Sequence, residues 1–177
     1  MKNKIVLGLL ALVFLVSCQQ KTSQSTQENL KSKVMVLQKQ LMKNTANISV
    51  AQGDSMVDLY IEYANTYPDD SISVEYLYRA AGVQMGMEKN KDCLATLTMI
   101  EERYPKSDII PSVLQLKAFI YDTKFQDFDK AKAAIDELIE KFPDDKLVPN
   151  AKAYRDMIGK DPEELFRRVD SAEAVTN

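Results

Sequence analysis

One phrase is written three times in this chain, an amphipathic stretch that closes on an aromatic residue followed by proline. The clearest copy is residues 90–105 (NKDCLATLTMIEERYP). A second is 127–143 (DFDKAKAAIDELIEKFP), and an earlier one is 54–68 (DSMVDLYIEYANTYP). Pro68, Pro105 and Pro143 recur after 37 and then 38 residues. A period of that length marks stacked supersecondary units, each burying its apolar face against its neighbours. Proline forces the residue before it out of the α region, so each phrase predicts a helix that stops at its aromatic residue. A short polar segment and a second amphipathic stretch follow each copy. The chain is therefore constrained to helix pairs repeated along its length.

The stretches between the phrases fit that frame. Leu30, Val34, Leu37 and Leu41 are spaced four, three and four apart and share one helix face. They cover less than two heptads, so they predict a first-repeat helix packed on its own neighbour, not a coiled coil. The helix of the earliest phrase is expected to start near Asp54 or Ser55, either of which can cap it. Residues 74–88 predict the next helix, and Asn90 is a good N-cap for the one after. Pro111 sits where a first-turn proline loses nothing, opening a helix over 111–123. Residues 128–142 close that pair. A short helix over 147–158 has Gly159 placed as its C′ residue. Residues 161–164 (DPEE) give a cap, a first-turn proline and a reciprocal glutamate, and predict a last helix to about residue 174. No stretch alternates with period two for long enough to be a strand. The expectation is an all-α chain of about eight helices.

Composition narrows the function. The chain has 177 residues, enough for one domain after a leader is removed, with 45% hydrophobic and 28% charged residues, as in a soluble globular protein. It has no histidine, which removes the commonest general base and the commonest metal ligand together. Net charge is −3, and loss of Lys2 and Lys4 with a leader takes it to −5. That balance offers no basic footprint for nucleic acid and no polybasic patch for anionic lipid.

Residues 1–17 read as a secretion signal, with Lys2 and Lys4 as its positive end and an unbroken apolar run over 5–16. The run is too short to span a bilayer as a helix. It stops at Leu15-Val16-Ser17-Cys18, which resembles the bacterial lipoprotein signal. The resemblance implies that the Cys18 thiol is diacylglycerylated, that the chain is cut before it, and that the new amine is often acylated. An ordinary signal peptide with a chance cysteine at its end is the plainer alternative. Several acyl chains, at about 0.8 kcal/mol per buried CH₂, make such an anchor effectively permanent. By the same resemblance, Gln19 after the cysteine, where Asp would favour inner-membrane retention, implies the outer membrane; the domain is expected to face the periplasm, with the cell surface as the alternative. Residues 19–28 (QQKTSQSTQE) contain no apolar side chain and predict a flexible tether. The expected organisation is a signal peptide over 1–17, a lipidated cysteine and tether over 18–28, and a helical repeat domain over 29–177.

Over about residues 54–158 the chain resembles the tetratricopeptide repeat (TPR) family. Leu77 and Ala81 fit the first helix of one repeat, with Gln84 where the family usually has tyrosine. Cys93, Leu97, Ile100 and Pro105 fit its second helix. Leu114, Ala118 and Tyr121, then Phe128 in the turn, then Ala131, Ile135, Leu138 and Pro143 match the next repeat. The resemblance is to periplasmic and outer-membrane TPR lipoproteins in particular, including that of the β-barrel assembly machinery, which is longer. It implies a right-handed α-α superhelix of helical hairpins.

Each candidate site has a plainer role beside the functional one. After lipidation Cys93 is the only thiol left, and as a small apolar group at a helix crossing it needs no reactivity. The pairs Asp69-Asp70 and Asp144-Asp145 each follow a proline between helices, where aspartate serves as a turn and capping residue. Neither lies in a loop with EF-hand spacing. Met85, Met87 and Met99 fit gap-filling in a core, or else an adaptable binding surface. No metal site, cofactor or catalytic group is expected. The resemblance also implies a concave groove lined by the first helix of each pair. It places Glu75, Tyr78, Gly82, Met85 and Gly86, then Ser112, Gln115, Phe119, Asp122 and Thr123, on that face. Tyr78, Met85 and Phe119 are its large apolar groups, with Glu75, Gln115 and Asp122 at the rim; burial in inter-repeat contacts is the alternative for them.

The function implied is a lipid-anchored extracytoplasmic scaffold that binds a protein partner in the cell envelope, with no catalysis and no nucleic acid. Two alternatives stand beside it. One is an accessory subunit of an envelope machine for outer-membrane assembly, secretin piloting or division. The other is a lipoprotein that captures a small peptide or glycan.

Overall fold

The computed structural model describes residues 25–43 and 49–160. The leader expected over 1–17, Cys18, residues 19–24 of the expected tether and the helix expected over 161–174 lie outside the described residues. The elements are α1 (25–43), α2 (Val50–Thr66), α3 (Ser71–Gly86), α4 (Asn90–Arg103), α5 (Ile110–Ile120), a π-helical turn (Tyr121–Phe125), α6 (Phe128–Lys141) and α7 (Val148–Met157). No strand occurs among the described residues, and the fold is an all-α helical repeat. The helices fall into two compact units, one ending at Met87 and one starting at Glu88.

The repeated phrase has one repeated geometry. Tyr67, Tyr104 and Phe142 each end a helix with φ near −130° and ψ between 50° and 62°. Each donates its backbone N–H four residues back, to Tyr63, Ile100 and Leu138. Each carbonyl then accepts from the residue three ahead, namely Asp70, Ser107 and Asp145 at 3.0–3.1 Å. Those three side chains in turn accept the backbone N–H two residues on, from Ile72, Ile109 and Leu147. The proline therefore stops one helix while a short polar side chain starts the next. Asp70 and Asp145 are thus capping and turn residues, as their position between helices suggests.

In the first unit α1, α2 and α3 close on one core. Leu30 and Val34 are buried with Met56, Val57, Tyr60, Tyr63, Tyr76 and Ala80, and Leu37 and Leu41 pack against them, so the expected face of α1 is the one used. Tyr76 meets Tyr60 and Tyr63 with ring centroids 5.1 and 5.0 Å apart, the second edge-on. Such pairs add specific geometry to their buried area. The boundaries differ from the sequence expectation in three places. Ser49 and Gln52 form a reciprocal capping box, so α2 starts at Val50 and Asp54 and Ser55 lie inside it. Asp70 caps α3, which begins at Ser71 and not at residue 74. Residues 25–28, expected to be tether, are helical, because Gln27 donates to the Tyr63 hydroxyl at 2.9 Å and to Asp70.

The second unit buries Cys93, Leu97 and Ile100 of α4, Val113, Leu114, Ala118 and Ile120 of α5, Ala131, Ile135 and Leu138 of α6, and Ala151 of α7. Lys89, not Asn90, stands at the N-cap of α4 and makes no side-chain capping bond, so Asn90 is the first helical residue. Pro111 lies in the first turn of α5 as expected. The helix expected over 111–123 widens into a π-turn from Tyr121. Gln126, at φ 53° and ψ 30°, reverses the chain, and the N–H of Asp127 returns to the Tyr121 carbonyl at 2.8 Å. The Asp127 side chain then caps α6 through Lys130 N–H at 3.2 Å. Gly159, at φ +75°, ends α7 as predicted, in the left-handed region that favours glycine.

Candidate functional site

In α3 the buried side is Ser73, Tyr76, Leu77, Ala80, Ala81 and Gln84, leaving Glu75, Gly82 and Gly86 exposed and Tyr78 and Met85 half-buried. Gln84, standing where a tyrosine was expected, is buried as that tyrosine would be. Glu75 pairs with Arg79 one turn on, at 2.5 Å. An added Cβ at Gly82 or Gly86 would meet nothing within 4 Å. Glycine inside a helix costs about 0.5–1 kcal/mol relative to alanine. Nothing in the chain's own packing asks for it at Gly82, so Gly82→Ala is expected to raise the unfolding free energy by about that amount in a urea titration.

In α5 the neighbours Ala118 and Ile120 are buried while Phe119 is 42% exposed. Ser112, Gln115 and Phe119 follow one another three and four apart along the same side, the first two half-buried. Asp122, expected at a groove rim, instead accepts from the Tyr154 hydroxyl of α7 at 2.8 Å. Burial, with Asp122 beside it, pushes the Tyr154 phenol well above its ordinary range. Arg155 grips Asp136 through two of its nitrogens, holding that carboxyl below the usual range. Asp122 is therefore engaged in holding α7 to the π-turn, while Phe119 and Thr123 are exposed on that side and Gln115 is half-buried.

The π-turn adds Phe125, which the sequence did not single out, near Phe128 at the start of α6. Phe125 and Phe128 are 39% and 38% exposed. Two cavities of about 400 and 380 Å³ share Phe125 and Lys91 as walls. The first is completed by residues 88–90 and Asp92, the second by Leu94, Tyr121, Asp127 and Lys130. The Lys130 ammonium lies 5.5 Å from the Tyr121 ring centroid. Helical periodicity could not place Phe125 because the wider turn shifts the residues after Tyr121 out of α-helical phase. Among the described residues no cluster of His, Cys, Asp and Glu could hold a metal ion, and no helix is long and apolar enough to cross a membrane.

Helix pairs of fixed period, with large groups left outward on the first helix of a pair, define a helical-repeat interaction module. Residues 113–145, spanning nearly all of α5, the π-turn and α6, match the tetratricopeptide repeat family. The matched segment contains Leu114, Ala118, Tyr121, Phe128, Ala131, Ile135, Leu138 and Pro143, and the chain thus contains a tetratricopeptide repeat. No curated protein matches the chain.

Proposed function

We propose that the protein is a lipid-anchored scaffold of the cell envelope, held by Cys18 in the outer membrane with its domain in the periplasm, and that it binds a protein partner through the first helices of its repeats. The observation that supports this most is Phe119, a large aromatic group 42% exposed on a helix whose neighbouring positions are buried, inside the matched repeat. On α3 the corresponding groups are Tyr78 and Met85, with Gly82 open between them. Exposed Phe119 beside Gln115 on α5, and half-buried Tyr78 near Glu75 on α3, each suit a peptide segment of a partner. Service as an accessory subunit of an outer-membrane assembly or secretin-piloting machine is one form of this role. Capture of a small peptide or glycan is the rival.

Phe119→Ala and Tyr78→Ala test it. Hot-spot truncation is worth about 2 kcal/mol or more, so each change should weaken partner capture at least about 30-fold while helical content holds. A partner first identified by crosslinking in the native envelope supplies the ligand. Capture that survives both changes, or a domain that melts with either, places these residues in packing. Cys18→Ser should leave an uncut precursor without lipid label, and normal processing with labelling would refute the anchor.

A further inference from the structure

The four most exposed large apolar side chains among the described residues crowd into one short stretch: Met35 at 65%, Val36 at 57%, Met42 at 78% and Val50 at 61%. Three of them are on α1, away from the face that Leu30, Val34, Leu37 and Leu41 turn to the core. Met35, Lys39 and Met42 follow at intervals of four and three, and Val36, Lys39 and Lys43 at three and four, so the two rows lie side by side on the helix. Charge on this helix runs against the chain. Residues 25–43 carry Lys31, Lys33, Lys39 and Lys43 against the single acid Glu28, in a protein whose net charge is −3. Lys31 is committed to Asp70 at 3.1 Å. Lys33, Lys39 and Lys43 are exposed and make no ion pair among the described residues. The overall balance conceals this local basic face.

We propose that the outer face of α1 rests on an anionic lipid surface, with Met35, Val36 and Met42 entering the headgroup layer and Lys39 and Lys43 meeting lipid phosphates. Apolar groups interleaved with lysines on one helical face match that surface in both polarity and charge. Chain length agrees, since only residues 19–24 separate Cys18 from α1, and even fully extended they place α1 within about 25 Å of Cys18. The setting rests on the membrane-anchored reading above, although the contact itself is separately testable.

The test uses the full chain, in its native form and as Cys18→Ser, with an environment-sensitive fluorophore on Met42→Cys and, as control, on Glu140→Cys of α6. Cys93 is fully buried and stays unlabelled in the folded protein. Vesicles of phosphatidylglycerol with phosphatidylcholine are compared with phosphatidylcholine alone. A blue shift at residue 42 is expected with the anionic vesicles only, none at residue 140, and its loss in high salt. Each lysine at such a surface is worth about fivefold in partitioning, so Lys39→Glu and Lys43→Glu together should weaken the contact at least about 25-fold. A lipid-labelled chain with no shift at residue 42 overturns the contact and leaves the anchor standing. A shift at residue 42 in a chain whose Cys18 never takes lipid does the reverse. Equal shifts with both vesicle types overturn the charge match. A shift that grows with protein concentration alone assigns the face to a second copy and overturns the proposal.

Discussion

Cys93→Arg unfolds the second unit, whereas Cys93→Ala leaves it folded with a loss of about 1 kcal/mol. Cys93 is fully buried on α4, one turn before Leu97, at the small position of the repeat. Cysteine behaves there as a small hydrophobe, and alanine removes little more than one apolar atom. Arginine needs several times the volume and brings a charge into a core in which no carboxylate is buried among the described residues. Burying an unpaired charge belongs to the few mechanisms that exceed about 4 kcal/mol, most of the stability of a domain this small. Circular dichroism and urea titration of the two variants measure the contrast. A thiol reagent should label the native protein slowly and the denatured protein at once. Rapid labelling of the folded chain would contradict the burial.

Asp70→Ala is expected to cost about 3 kcal/mol, a large effect for a partly exposed residue. Asp70 caps α3, accepts from the Tyr63 hydroxyl at 2.5 Å and faces Lys31 at 3.1 Å, while Gln27 adds a further donor. A lost cap is worth about 1 kcal/mol, and a lost hydrogen bond to a charged acceptor about 1.5–3 kcal/mol. The Tyr63 bond, then the Ile72 N–H and Lys31, hold the Asp70 carboxyl down to about 2 from an ordinary 3.8, against the opposing effect of burial. Its folded-state pKa is depressed, so its contribution is complete above the unfolded value and lost as pH falls towards 2. Asp70→Asn keeps a cap without the charge. The stability gap between wild type and Asp70→Asn should therefore be wide at pH 7 and close between about pH 4 and pH 2. A gap that is flat across that window would show that the charge contributes nothing.

The parts of the fold legible in the sequence are those written in side-chain period or in proline and glycine. Pro68, Pro105 and Pro143 marked three helix ends that share one backbone geometry. Leu30 and Val34 marked a buried face, and Gly159 a helix terminus. Helix starts were less legible, because polar side chains compete for them. Asp54 and Ser55 look like caps, but Ser49 with Gln52 satisfies two orphan donors at once and wins. Gln27 could not be read as ordered, since its partners Tyr63 and Asp70 come from other helices. The groove residues show the same limit. Exposure of Phe119 follows from helical phase, but the engagement of Asp122 by Tyr154 depends on how α7 packs. The basic face of α1 was hidden by averaging charge over the whole chain.

The π-turn records a difference in length between repeats. From Ala81 to Cys93 is twelve residues, and from Ala118 to Ala131, the matching positions of the next repeat, is thirteen. That one residue is also the difference between the proline spacings of 37 and 38, and the π-turn lies within the longer interval. A single insertion inside α6 would turn everything after it by about 100° and carry Ile135 and Leu138 off the core. Taken up at the end of α5, it swells one turn and leaves Ala131, Ile135 and Leu138 in phase. Loss of one residue between positions 121 and 125 would therefore leave Ala131, Ile135 and Leu138 on the core, and natural length variation in the repeat should collect there.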